Sequence, residues 1–255
     1  KWLLGRIKAI HKYIESRHER WLTEPSLQAA LGRAYAELDE FAQAIACYRR
    51  ALEAERATYP LATLEQLANL QVRYAAALYR TRQAAGAAGR TTPKREAAQL
   101  EDPSELIKSS VDLCETLLRF GDTSERLSVL ASAYKRRAFI DPLQRGAALS
   151  DMVRTYRRAD ELARKRTGAS NPYPLLNALA GEAVLKLVGG KTLGDVTALL
   201  QPVREAAREE DFWGWLRDAE CALIEGLAQG DLAKNSAVVI DGYTGAIKRA
   251  ASPRE

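Results

Sequence analysis

Apolar positions recur at helical spacing along nearly the whole of this chain. In residues 26–53, Leu27, Leu31 and Tyr35 line one face of a first helix. Ala44, Tyr48 and Ala51 line one face of a second, with Phe41 at the turn between them. Small residues meet large ones across that pair. Gly32 and Ala44 let the helices approach, and Tyr35, Phe41 and Tyr48 fill the space beside them, so the hairpin interlocks without a large core. One such hairpin leaves apolar surface bare, which implies neighbours stacked upon it.

The same pattern predicts the remaining elements. Residues 2–20 form an amphipathic helix with Leu3, Ile7, Ile10 and Ile14 on one side and basic residues largely on the other. Pro60 opens a helix to about Arg82 that buries Leu64, Leu67, Ala68, Leu70 and Tyr74, with Leu67 and Ala68 matching Leu31 and Gly32. Residues 83–102 have Gly, Pro and mixed charge but no apolar face, as in a flexible loop or insertion. Pro103 and Ser104 start a helix through Phe120, in which Cys114 and Leu117 stand like Tyr48 and Ala51. After Gly121, Thr123 or Ser124 caps a helix marked by Leu127, Leu130, Ala131 and Tyr134. Its partner, residues 143–166, carries Met152, Tyr156 and Ala159. Residues 173–187 turn Leu176, Leu179, Ala180 and Ala183 inward, and residues 193–208 complete that hairpin. Asp211 caps residues 212–227, and residues 231–250 form a last helix with Tyr243 and Ala246 three apart. That helix includes the β-branched run at 237–241, read as helical from its surroundings.

At Leu31, Gly32, Tyr35, Phe41, Ala44, Tyr48 and Ala51 the pattern resembles a tetratricopeptide repeat (TPR). The expected fold is all-α, a TPR-like α-solenoid of about four helical hairpins plus a leading helix. Residues 1–22 are the leading helix, and residues 23–250 the repeat domain with its insertion at 83–102. The second half carries further motifs at Tyr173, Asn177, Leu179, Phe212, Trp213, Ala219 and Glu220. These resemble the TRAF-binding-type TPR region of the apoptosis signal-regulating kinases and its bacterial relatives, although Leu179 stands where that family has alanine. The resemblance implies a regulatory or sensor platform beside an effector domain, a kinase in animals and a protease or other defence effector in bacteria. The Arg- and Ala-rich composition suits a GC-rich bacterium. In a TPR stack the first helix of each hairpin lines a concave groove. Carried over, that geometry places Arg33, Glu37, Asn69, Arg73, Ser132, Arg136 and Asn177 on one partner-binding surface. Three arginines there can grip a carboxylate or phosphate of a bound peptide by paired hydrogen bonds. The plainer reading is that they pair with Glu37 and neighbouring acids. Asn177, in an otherwise apolar helix, is either a groove contact or a polar group bonded to the adjacent repeat.

Charge changes the picture little. Of a net +5, residues 1–20 supply six basic groups against two acidic ones, and the rest is nearly balanced. Nucleic-acid binding would therefore fall on one helix, through Lys8, Lys12 and Arg17, and is the weakest of the readings. Cys47, Cys114 and Cys221 are far apart within apolar helical patterns, which points to a reducing cytoplasm and neither a zinc site nor a disulfide framework. His11 and His18 read as ordinary surface histidines. Gly189, Gly190, Lys191 and Thr192 resemble the end of a phosphate-binding loop. Leu185 replaces its first glycine and a helix replaces its strand, so a helix cap is expected. Glu209, Glu210 and Asp211 read as a solvated run, and no catalytic residue, metal or cofactor is implied. No apolar run is long enough for a membrane span, and a start at Lys1, already within the pattern, suggests part of a longer chain. The leading expectation is a non-catalytic interaction scaffold for a protein or peptide. The alternative is a substrate adaptor or inhibitor of a partner protease, cleaved in the 83–102 loop.

Overall fold

A computed structural model describes residues 2–53, 61–87, 101–205 and 212–249. Among them are eleven α-helices and one 3-10 turn, with no strand. The β-branched run at 237–241 is helical, as its neighbours predict. Two compact units divide the chain. The first comprises residues 1–122 and 132–145, the second residues 123–131 and 146–255.

The first unit begins with α1 (Trp2–Arg17), a 3-10 turn (Glu19–Thr23), α2 (Pro25–Ala36) and α3 (Phe41–Glu53). Pro25 occupies the first turn of α2, where its missing N–H is no loss. Past the end of α2, Asp39 takes a left-handed φ of 56°, and the Glu40 N–H donates to the Tyr35 carbonyl at 3.1 Å, turning the chain into α3. The interlock is direct. A Cβ at Gly32 would stand 3.0 Å from the Tyr48 ring and 3.3 Å from the Ala44 carbonyl oxygen. Leu31, Tyr35, Ala44, Tyr48 and Ala51 are all buried.

Next come α4 (Leu61–Ala87) and α5 (Pro103–Leu118), closely packed on one another. Leu67 and Ala68 are buried, and the Ser110 hydroxyl donates to the Ala68 carbonyl at 2.9 Å, so Ala68 faces its partner helix as Gly32 does. Gln71, also buried, donates to the Ser109 hydroxyl at 2.9 Å. Asp102 caps α5 by accepting the Ser104 N–H. The helix opened near Pro60 runs past Arg82 to Ala87, because an alanine-rich tail keeps helix propensity without an apolar face. Pro60 itself and residues 88–100 of the expected insertion lie outside the described residues.

The leading helix is rotated from its expected setting. Ile14 is buried and Leu4, Ile7 and His11 are partly covered, whereas Leu3 and Ile10 face solvent. The inward stripe is therefore 4-7-11-14, and it carries a histidine. His11 Nδ1 bonds the Tyr35 hydroxyl at 2.9 Å, so it is an interface residue between α1 and α2, not a surface histidine. His18 stacks on Trp21 with ring centroids 4.2 Å apart.

Helix α6 (Ser124–Ile140) contributes residues through Ala131 to the second unit and the remainder to the first. Thr123 caps it, its hydroxyl accepting the Arg126 N–H at 3.1 Å. The second unit continues with α7 (Arg145–Thr167) and α8 (Pro172–Val188). Leu143, expected inside α7, is 98% exposed. The Asp141 carboxylate accepts the N–H groups of Leu143 and Gln144, making a turn that delays the helix to Arg145. A second interlock joins α7 to α8, since a Cβ on Gly181 would overlap Met152 Cε and stand 2.6 Å from Val153 Cγ2. Arg157 forks onto Glu182 at 2.6 and 2.7 Å, which raises the guanidinium pKa against the opposing effect of burial. Buried Asp160 accepts the Asn171 N–H at 3.0 Å, pinning the turn between the two helices. Asn171 in turn caps α8.

Residues 193–208 do not form one helix. Residues 193–196 are loop, and α9 spans Thr197–Glu205 with Pro202 inside it, while residues 206–208 lie outside the described residues. The Leu193 and Gly194 N–H groups of that loop donate to the Ala228 carbonyl at 2.9 and 3.1 Å. Val196, Leu200 and Val203 seal a core shared with Leu175, Leu176 and Leu179 of α8 and with Cys221 and Ile224 of α10 (Phe212–Gln229). Against α10 lies α11 (Leu232–Arg249), where Gly242 sits so close that a Cβ would stand 2.8 Å from that of Ala219. Glu209, Glu210 and the expected cap Asp211 lie outside the described residues.

Candidate partner-binding surface

Arg33 and Glu37 are exposed at the end of α2. The Arg33 guanidinium hydrogen-bonds the Tyr48 side chain, opposing the burial that raises that phenol's pKa. Asn69 is half-buried on α4. One helical turn further on, Arg73 is already engaged. It pairs with the Asp39 carboxylate at 3.1 Å and lies over the Phe41 ring, 5.1 Å from its centroid, while Phe41 in turn meets Tyr74. Both members of that pair are well exposed, so it contributes at most about 1 kcal/mol, and a stronger anion can displace it. Ser132 is buried on α6 and accepts from Arg136 at 2.7 Å, one turn away. These six residues belong to the first unit. Asn177 belongs to the second, where its amide donates to the Tyr173 carbonyl of its own helix at 2.9 Å.

Sequence reasoning missed Asp39 and the aromatic support under Arg73. The signal was there, in an aspartate two residues before the signature Phe41, a position suited to a left-handed turn. Near the same unit's α4–α5 junction, Tyr79, Arg82, Asp102, Pro103, Ser104 and Ile140 border an open cleft of about 600 Å³. Across it Arg82 donates to the Glu101 carbonyl at 3.3 Å and lies 3.6 Å from the Asp102 carboxylate.

The cysteines are free and buried. Burial pushes Cys114 up to about 12 and Cys221 to about 11, and it raises Cys47 as well, so the thiolate needed of a nucleophile is disfavoured at each. Among the described residues no group of three His, Cys, Asp or Glu side chains is placed to hold a metal ion. Nor is any helix among them long and apolar enough to cross a membrane. The lysine of the apparent phosphate-binding loop follows a helix end. Gly190 has φ 68°, and the Lys191 N–H donates back to the Lys186 carbonyl at 2.9 Å.

Paired helices locked by small residues against large ones, in an all-α TPR-like solenoid, make this a TPR-type protein. Residues 60–182 match the family described as Tetratricopeptide Repeats-Sensor, TPR-S, a segment running from the start of α4 into α8. The match supports a protein-interaction or sensor role. None of the curated proteins matches the chain.

Proposed function

We propose that this chain is the regulatory or sensor part of a larger effector system, a bacterial and defence-related one, and that it works by holding a protein or peptide partner without catalysis of its own. Its place is the cytoplasm. The partner lies along Arg33, Glu37, Asn69, Arg73, Ser132 and Arg136 of the first unit and presents carboxylates or phosphates to the arginines. One observation carries the reading. Arg73 is held over Phe41 by an exposed carboxylate, Asp39, which an incoming anionic group can replace without moving the helix. The test is fluorescence anisotropy of the full chain with glutamate-rich and phosphoserine peptides, repeated with Arg33→Glu plus Arg73→Glu. Tight binding by the wild type, weakened about tenfold or more by the double charge reversal, is expected. Equal binding by both proteins overturns the assignment of these residues.

A second reading, substrate or inhibitor of a partner protease, is favoured by the contacts of Arg82. They hold the end of α4 to the start of α5 whatever becomes of the connecting residues. Protease treatment is expected to cut once between Ala87 and Glu101, leaving two fragments that co-elute on size exclusion and separate only in denaturant. Dispersal of the fragments on cutting, or cleavage inside α4, argues against it.

A further inference from the structure

The outward side of α1 has no partner among the described residues. At 3.6 residues per turn, Trp2, Leu3, Arg6, Ile10, Tyr13 and Arg17 fall within an arc of about 100°, beside the stripe that packs on the rest of the unit. The four apolar members are 72, 57, 56 and 58% exposed in the order Trp2, Leu3, Ile10, Tyr13. The patch continues past the helix, since Tyr13 meets His18 and His18 stacks on Trp21, itself half exposed. Both arginines are exposed and take part in no ion pair among the described residues. Arg6 lies over the Trp2 ring, 5.6 Å from its centroid, an arrangement that holds the guanidinium level with the apolar surface and leaves its N–H edge open. The single carboxylate of α1, Glu15, is on the other side, 3.9 Å from His11 Nε2, and Lys8 is drawn away to Glu40 at 3.7 Å.

We infer that this face docks an amphipathic helix of a partner protein whose apolar stripe is accompanied by glutamate or aspartate. Apolar exposure asks for an apolar counterpart, and the two arginines within the stripe ask for carboxylates that stay paired once water is excluded. A membrane surface fits less well. Interfacial helices keep their cations on the polar face, whereas here the guanidinium groups lie inside the apolar arc and would enter the acyl boundary. A second copy fits less well too, because it brings two more arginines and no carboxylate to the shared face. The surface is separate from the one proposed above, so either can fail alone.

The test uses the full chain and two designed helical peptides with the same leucine stripe, one flanked by glutamates and one by glutamines, beside vesicles of phosphatidylcholine and phosphatidylserine. The glutamate peptide is expected to bind about tenfold or more tightly than its glutamine twin, with the difference shrinking as salt is added. Arg6→Glu with Arg17→Glu should reverse the preference in favour of a lysine-flanked peptide. Leu3→Ser with Ile10→Ser should weaken both peptides alike. These side chains are exposed, so an unchanged thermal melt verifies that each variant is folded. Equal affinity for the two peptides, binding of neither, stronger retention on vesicles than on the glutamate peptide, or a dimer abolished by Ile10→Ser each overturns the inference.

Discussion

Tyr48→Ala is expected to lower stability by about 3–5 kcal/mol, the usual loss when a fully packed aromatic ring is removed. The ring is buried, and it closes against Gly32 where α2 packs on α3. Gly32→Ala alone has two opposed effects. Alanine gains about 1 kcal/mol of helix propensity over glycine. Its methyl, however, must fit 3.0 Å from two ring carbons and 3.3 Å from a backbone oxygen, a crowding that typically costs about 1–3 kcal/mol. A net loss near 1 kcal/mol follows. In the Tyr48→Ala background the crowding against the ring is gone and only the Ala44 oxygen at 3.3 Å still opposes the propensity, so Gly32→Ala there becomes close to neutral. Urea unfolding of the four proteins of this cycle should give a coupling on the order of 1–2 kcal/mol. Hydrogen exchange should place the loss first in the amides of α2 and α3. Strictly additive losses would mean that the two residues do not form the interlock described.

That hairpin was legible in the sequence because its determinants are local and repeat at one face each. Leu31, Gly32, Tyr35, Ala44, Tyr48 and Ala51 all lie buried where the 3.6-residue period puts them. Gly181 and Gly242 were not read as contact points, although glycine inside a helical pattern commonly marks a close approach. Their meaning depends on Val153 and Ala219, residues distant in the chain that no period identifies. The setting of α1 failed for a related reason. Leu3, Ile7, Ile10 and Ile14 and the true inward residues Leu4, Ile7, His11 and Ile14 overlap at two positions, and the choice between them rests on the Tyr35 hydroxyl that receives His11. Leu143 misled because an apolar residue was assigned to the helix when the Asp141 carboxylate had already claimed its N–H. Among the proposed contact residues, exposure of Arg33 and Glu37 followed from their place on the helix. The pairing of Arg73 depended on a turn between two other helices, and no period in the sequence points to the bond of Asn177 to its own helix.

Tyr156→Ala is the second large loss, again about 3–5 kcal/mol, and Tyr156→Phe is its control. Among the described residues the side chain is the largest of those buried almost completely, and it sits on α7 four residues from the Met152 that presses on Gly181. Its ring meets Tyr173 of α8 edge to face at 82°, with centroids 5.8 Å apart, and the two hydroxyls are 3.2 Å apart. Tyr173 is partly open to solvent, so its hydroxyl can turn to water when the partner oxygen is removed. Phenylalanine therefore keeps nearly all the burial and should cost no more than about 1 kcal/mol. Alanine leaves a cavity in the contact that also carries the Arg157–Glu182 fork and the Asp160 latch on the following turn. Those polar contacts then act on a loosened pair of helices. Exchange should accelerate in α7 and α8 together, while the amides of α2 and α3 keep their wild-type protection. A Tyr156→Phe variant as unstable as Tyr156→Ala would shift the weight from packing to the hydroxyl.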